Sequence, residues 1–372
     1  MEPFYPLRVQ LCETCWLVQL SEYVAPEQIF SEYAYFSSFS DSWVAHAGRF
    51  AHTMVKQLAL DGDSLVVELG SNDGYLLRHF VAAGIPVLGI EPAANVAAAA
   101  RKNGVDTDVR FFGAAVAGAL AESGRRADLL VGNNVLAQVP ALNDFVAGAK
   151  LLLKPEGLFT IEFPHLLRLL VEGQFDTIYH EHFSYFSLRS ATRVLAAHGL
   201  AVVDVEELPT HGGSLRLHVR HVELGVQPTA AVAALAEREL RAGLDSGEGY
   251  MDLAPRVEAA KRDILAFLIE ATREGQSVAG YGAPGKANTF LNYCGIRTDL
   301  VSYTVDRNPY KHGRFTPGTH IPIHDPDRLN ETRPDFVWIL PWNLRAEIAD
   351  QLADIRSWGG RFVVAIPSLE IF

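Results

Sequence analysis

The sequence predicts an α/β protein built on two separate parallel sheets, and three observations predict it. From Ser64 onward, short apolar runs that stop at glycine or at polar residues alternate with segments of helical period. A second strand-turn-helix unit opens much later, at Ser277-Val278-Ala279-Gly280-Tyr281-Gly282-Ala283-Pro284-Gly285-Lys286. The chain has 372 residues, 49% apolar and 20% charged, which is enough for two or three cores and wrong for disorder.

The elements follow in order. Residues 1–45 hold Cys12-Glu13-Thr14-Cys15 and an aromatic, serine-rich stretch, Tyr33-Ala34-Tyr35-Phe36-Ser37-Ser38-Phe39-Ser40. A helical pattern runs through Trp43, Phe50, Met54 and Leu58. Ser64–Leu69 is a buried strand feeding a turn and then a helix from Tyr75 to Ala83, and Val87–Glu91 is a second strand ending in an acid. After a helix from Ala93 to Lys102, Asp128–Asn134 and Gly157–Glu162 are further strands. Such alternation implies a parallel sheet covered by helices on both faces. Leu188–His198 reads as helix, Ala201–Val205 and Leu215–Val222 as strands, and 228–274 as a long, mostly helical connector. The second α/β unit continues through strands at Leu300–Val305, Phe336–Leu340 and Arg361–Ile366. The expected divisions are 1–45, 46–205 and 206–372.

Bulk properties exclude several functions. Thirty-two basic against forty-four acidic side chains give a formal charge of −12, which repels polyanions and argues against a nucleic-acid partner. No apolar run approaches the ~20 residues of a membrane span. The start, Met-Glu-Pro-Phe-Tyr-Pro, has no basic-then-apolar leader, and three cysteines make no disulfide framework, so a cytoplasmic, reducing location is expected.

Two stretches carry chemistry. The turn Glu68-Leu69-Gly70-Ser71-Asn72-Asp73-Gly74 stands at the carboxyl end of the first strand, where open α/β sheets bind ligands. It lacks both Gly-Lys-Ser/Thr and a full Gly-x-Gly-x-x-Gly, so it does not fit a phosphate binder. Acids ending the first two strands, Glu68 and Glu91 (followed by Pro92), suit a cofactor rich in donors, with Asn133 and Asn134 ending a later strand. That favours S-adenosylmethionine over a dinucleotide, whose pyrophosphate the carboxylates would repel. The second stretch is Tyr179-His180-Glu181-His182-Phe183-Ser184-Tyr185. A helical zinc-protease motif needs histidines four apart, and none are here. If extended, the segment would send Tyr179 and Glu181 one way and His180 and His182 the other. In a turn the two sets converge. A histidine beside a carboxylate can remove a proton, and a tyrosine hydroxyl can donate to the oxyanion that forms. A buried polar knot is the plain alternative. His211-Gly212-Gly213-Ser214-Leu215-Arg216 either closes the site or is a simple turn into a strand.

The turn from Glu68 to Leu77, the segment from Tyr179 to Tyr185, the knot from His211 to Arg216 and Gly280-Tyr281-Gly282-Ala283 occur together, in this order, in one group. The chain thereby resembles the S-adenosylmethionine-dependent sugar C-methyltransferases of deoxysugar and antibiotic biosynthesis, over nearly its whole length. The resemblance implies a central class I (Rossmann-like) methyltransferase domain, a second Rossmann-like C-terminal domain and a short N-terminal segment. It implies methylation of a carbon beside the keto group of a nucleotide-linked 4-keto sugar, usually dTDP-linked. His182 matches the general base, Tyr179 and Glu181 its partners, and a tyrosine, Tyr33 or Tyr35, one that closes over the substrate. His180, His211, Tyr281, Lys286, Asn308 and Lys311 would help bind the nucleotide-sugar, and a monomer is expected. Members commonly start with a zinc domain holding two Cys-x-x-Cys pairs, whereas only Cys12 and Cys15 are present here. Two ordinary thiols are therefore the expectation, with a shortened zinc domain the alternative. Two rival functions stay open on the residues: O- or N-methylation of a small metabolite, and non-catalytic nucleotide-sugar binding.

Overall fold

A computed structural model describes residues 2–372, and among these the strands form three sheets. The largest has seven strands, in the order Thr107–Asp108, Val87–Ile90, Val66–Leu69, Ala127–Asn133, Leu153–Pro164, Ser214–His221, Leu200–Leu208. The first five run parallel, Ser214–His221 runs against them, and Leu200–Leu208, paired antiparallel to it, runs their way again. Val66, Val67, Leu69, Leu129, Leu130 and Val131 are wholly buried because helices cover both faces. Burying each such aliphatic side chain contributes about 1.5–3 kcal/mol.

The strands after residue 205 extend this first sheet, and an expected boundary there falls inside the strand Leu200–Leu208. The helix Ala230–Arg241 also belongs to this half. Its Leu235 packs in the sheet's core, and its Glu239 is buried. One Glu239 oxygen accepts from the Leu188 amide at 2.7 Å and from His165 Nε2 at 2.8 Å, and the other accepts from the Arg189 amide at 3.1 Å. These bonds satisfy first-turn amides of the helix Leu188–Ala197, whose Ser187 and Ser190 add a capping box.

The C-terminal sheet has six strands, in the order Ile323–His324, Thr304–Val305, Val278–Tyr281, Phe336–Ile339, Arg361–Val364, Glu370–Ile371, parallel except for the last. The strand expected at Leu300–Val305 shrinks to Thr304–Val305, because the Leu300 and Val301 amides close a turn on the Arg297 carbonyl instead. The third sheet positions the chemistry. An N-terminal hairpin, Val9–Leu11 and Val18–Leu20, takes Ser184–Tyr185 as its outer strand, with Val18 opposite Tyr185. No helix among the described residues is long and apolar enough to cross a membrane.

Candidate active site

The turn from Gly70 to Gly74 leaves the strand Val66–Leu69 with Asn72 in the left-handed region (φ 48°), a conformation asparagine tolerates better than most residues. Glu91 fixes the turn: one carboxylate oxygen accepts from the Asn72 amide (2.8 Å) and the other from the Ala93 amide (2.9 Å). Around this turn lies a set of buried acceptors with no hydrogen-bond partner: both Glu68 carboxyl oxygens, Asp73 Oδ1, and the amide oxygens of Asn133 and Asn134. Burial pushes the Glu68 carboxyl well above its ordinary range, with Glu91 and Asp73 adding to it, and burial raises Glu91 despite its amide bonds. Unpaired acceptors and crowded carboxyls call for a cationic ligand rich in donors.

Residues 33–40 lie as a strap across this turn. Asn72 accepts from the Ser37 amide (2.9 Å) and donates to the Tyr35 carbonyl (3.1 Å). Asp73 accepts from the Ser38 amide and hydroxyl, and Asn95 exchanges hydrogen bonds with both backbone groups of Tyr33. From the other side, Asn308 donates to the Ala34 carbonyl at 3.1 Å. The Tyr33 hydroxyl reaches Glu181 at 2.8 Å, whereas Tyr35 is half exposed with its ring centroid 6.1 Å from that of Tyr33. Burial holds the Glu181 carboxyl up while the Tyr33 hydroxyl pulls it down.

The acid/base segment is a turn, closed by the His182 amide on the Tyr179 carbonyl at 2.9 Å. The two side chains therefore converge, with ring centroids 4.2 Å apart. His182 Nδ1 lies 3.2 Å from the Thr177 carbonyl, which can only accept. Nδ1 thus carries the ring proton and Nε2 keeps its lone pair. Burial lowers the His182 pKa to about 4, with His211 and Lys286 contributing, so the imidazole is neutral near pH 7. Burial, with Glu181 next, holds Tyr179 well above its ordinary value, which makes it a hydrogen-bond donor rather than a base. His180 turns away: its Nε2 meets the Pro6 carbonyl at 3.0 Å and its ring packs edge-on against Tyr5.

His211 occupies a left-handed conformation (φ 53°), and its Nε2 accepts from the Asn134 side-chain amide at 3.0 Å. That links the knot to the carboxyl end of the strand Ala127–Asn133. Below it, buried Glu162 accepts from His46 Nε2 (3.1 Å), Arg216 (2.8 Å) and the Thr210 hydroxyl (2.8 Å). Burial pushes Glu162 up, but the His46 bond and the Arg216 charge outweigh it and hold it below the ordinary range.

The C-terminal half supplies one wall. The helix Gly285–Cys294 docks on the acid/base segment through Thr289, whose hydroxyl donates to the Ile178 carbonyl at 2.8 Å. Partly buried Lys286 donates to Asn343 Oδ1 at 2.7 Å, and its Nζ lies 4.9 Å from the Trp342 ring centroid. Trp342 Nε1 donates to Asp176 Oδ2 at 2.7 Å. Lys311 and Asn308 instead gather around Asp306, which also accepts from the Ala283 amide, and Tyr281 is packed in the C-terminal core.

Of the residues singled out from sequence, Glu68, Asn72, Asp73, Glu91, Asn133 and Asn134 gather at the cofactor turn. Tyr33, Tyr179, Glu181 and His182 gather at the acid/base turn. Sequence reasoning passed over Asn95, Ser37, His46 and Asp176. For Asp176 the local sequence gives no clear signal, since it stands in the mixed polar and apolar stretch Phe175-Asp176-Thr177-Ile178.

Three family models match successive parts of the chain. A methyltransferase domain family matches residues 43–205, a C-methyltransferase C-terminal domain family 209–367, and a zinc binding domain family 1–30. C-methyltransferase NovU from Streptomyces niveus is 36% identical over 366 residues, 98% of this chain and 87% of NovU. The chain belongs to the C-methyltransferase family. It is an S-adenosylmethionine-dependent methyltransferase with a Rossmann-like methyltransferase fold. Among solved structures, magnesium protoporphyrin IX methyltransferase from Synechocystis PCC 6803, with bound SAM, is 18% identical at a TM-score of 0.35, covering 48% of this chain and 82% of that one. The CcbJ methyltransferase from Streptomyces caelestis is 16% identical at 0.37, covering 47% and 94%.

The residues present fit the cofactor, because its ammonium, ribose hydroxyls and adenine amine are donors and the turn offers unpaired acceptors. They do not fit a structural zinc. Cys12 and Cys15 are free thiols, Cys12 is lowered by the Cys15 and Thr14 amides, and no cluster of three His, Cys, Asp or Glu exists among the described residues.

Proposed function

We propose that this C-methyltransferase acts on the carbon beside the keto group of a nucleotide-linked 4-keto-deoxysugar, with dTDP the carrier that the family resemblance implies, as a step in deoxysugar biosynthesis. The observation that carries the reading is the His182–Tyr179 pair. A neutral imidazole has its Nδ1 proton committed to Thr177, its Nε2 lone pair free, and a non-ionising phenol packed against it at a 34° tilt.

His182 Nε2 takes the proton from the carbon beside the ketone. The C–H electron pair becomes the enolate double bond as the carbonyl π pair moves to oxygen. Donors around that oxygen stabilise it, and the negative enolate supplies the counter-charge that the protonated imidazole needs. Bound S-adenosylmethionine supplies the electrophilic methyl that the enolate carbon takes. Glu68, Asp73, Asn133 and Asn134 would hold that cofactor through their unpaired acceptors, on a turn that Glu91 fixes, and the strap of residues 33–40 would keep water from the carbanionic intermediate.

The test is His182→Asn, incubated with dTDP-linked 4-keto-6-deoxyhexoses in deuterated water. Wild type should exchange the proton beside the ketone and methylate that carbon. The variant should do neither while still binding S-adenosylmethionine. Full turnover by the variant would sink the enolate reading and favour O- or N-methylation.

A further inference from the structure

We propose that Lys286 is a catalytic residue of the methyl transfer, the cation that receives the charge of the enolate oxygen, and that Asp176 is the positioning residue that keeps it charged and in place. This rests on the enolate reading above.

Lys286 reaches the chemistry from the opposite half of the molecule. It follows Gly285, which lies against the face of the Tyr179 ring: a Cβ at Gly285 would sit 3.5 Å from Tyr179 Cε2 and 3.7 Å from its Cζ. The helix they open is pinned to Ile178 by Thr289, so the start of that helix cannot drift from the Tyr179–His182 pair. Among the described residues, Asn343 Oδ1 is the single hydrogen-bond acceptor on Nζ. An ammonium has three donors, and the Trp342 ring underneath takes no proton. Donors remain for an oxygen brought in beside Tyr179.

The surroundings hold that charge ready. Asp176 is 1% exposed; one of its oxygens is fixed by Trp342 Nε1 and the other has no partner. Burial pushes the Asp176 carboxyl up to about 6, and the Lys286 charge, ahead of the Trp342 bond, draws it back toward the ionised form. Burial in turn lowers Lys286, and Asp176 holds it up. Trp342 thus bridges the pair, touching the carboxylate through its edge and the ammonium through its face. As Nε2 of His182 accepts the proton and the carbonyl π pair moves to oxygen, the new negative charge meets a pre-placed donor and needs no solvent to reorganise.

The experiment follows deuterium entry beside the ketone of a dTDP-linked 4-keto-6-deoxyhexose, with S-adenosylhomocysteine present, and methyl transfer in parallel. Lys286→Met should slow both saturated rates about 10²–10³-fold, as loss of an oxyanion donor does. The KM for the sugar nucleotide should change less than threefold, and S-adenosylmethionine binding not at all. Asp176→Asn keeps an acceptor for Trp342 and should lower the saturated exchange rate while leaving KM in place. The double variant should be no slower than Lys286→Met alone, since Asp176 acts through Lys286. If Lys286→Met fails to bind S-adenosylmethionine, Lys286→Gln, which can still reach Asn343, is read in its place. A raised KM with an undiminished saturated rate would overturn the proposal and make Lys286 a grip on the nucleotide. Additive losses in the double variant would remove Asp176 from it. Absence of exchange and methylation in wild type would overturn the enolate reading itself, a different outcome from wild-type exchange that Lys286→Met matches.

Discussion

Gly212→Ala tests how tightly the two halves are locked together at the site. Gly212 has φ +90°, and a Cβ there would stand 2.8 Å from Trp342 Cζ3, closer still to Cη2, and 3.1 Å from Gln174 Nε2. A left-handed backbone costs an alanine about 1–2 kcal/mol. Overpacking against a side chain that cannot yield costs about 1–3 kcal/mol more. Trp342 cannot yield cheaply, because its edge is bonded to Asp176 and its face carries Lys286. The sum is about 2–5 kcal/mol of lost stability. Gly225→Ala is the control. Its φ is +61° with nothing within 4 Å of a Cβ, so it should lose only the backbone part, about 1–2 kcal/mol. Urea unfolding of both variants with unchanged m-values gives the comparison. Gly212→Ala should also slow methyl transfer by displacing the Trp342 bridge. If the two variants agree to within about 0.5 kcal/mol and both keep wild-type turnover, the tight packing of Gly212 on Trp342 is wrong.

Other outcomes follow from the same geometry. Glu162→Ala strands Arg216 and His46 in the interior and should cost about 3–5 kcal/mol by urea unfolding, since a buried ion pair loses one partner. Nitrogen-15 NMR should find His182 neutral at pH 5.5 as the Nδ1–H tautomer, whereas titration near 6.5 would contradict its burial. Because its folded pKa of about 4 lies below the unfolded 6.5, its contribution is whole above 6.5 and lost as pH falls toward 4. Wild type should therefore lose stability relative to His182→Asn across that window. Glu91→Gln should weaken S-adenosylmethionine binding about tenfold to a hundredfold by calorimetry, the worth of hydrogen bonds to a charged group. Unchanged affinity would show that Glu91 serves only the turn.

Much of this was legible in the chain. Val66-Val67 before Gly70 and Val278-Ala279 before Gly280 announce buried parallel strands, because short apolar runs that stop at glycine and lead into a helical period have few other uses. The polar density from Tyr179 to Tyr185 left an extended strand and a turn both open, and the structure makes Tyr179–His182 a turn. What stayed hidden depends on distant partners. His46 reads as one more polar position on the helix Asp41–Gln57 until Glu162, 116 residues on, arrives beside it. Asn95 has no local signature, since its two bonds go to the backbone of Tyr33. His180 shows the converse: adjacent in sequence to the reacting residues, it faces Pro6 because neighbours in a tight turn diverge.

The buried carboxylate of Glu239 has a consequence for how the chain is made. The Leu188 and Arg189 amides that it satisfies are synthesised some fifty residues earlier, at separations of 51 and 50. During translation that helix start has no acceptor from this source until residue 239 has left the ribosome, by which time the strands Leu200–Leu208 and Ser214–His221 are also available to pair. A chain ended near residue 205 would leave the strand Leu153–Pro164 an unpaired edge and the Leu188 and Arg189 amides without their Glu239 acceptor, a ready client for chaperones.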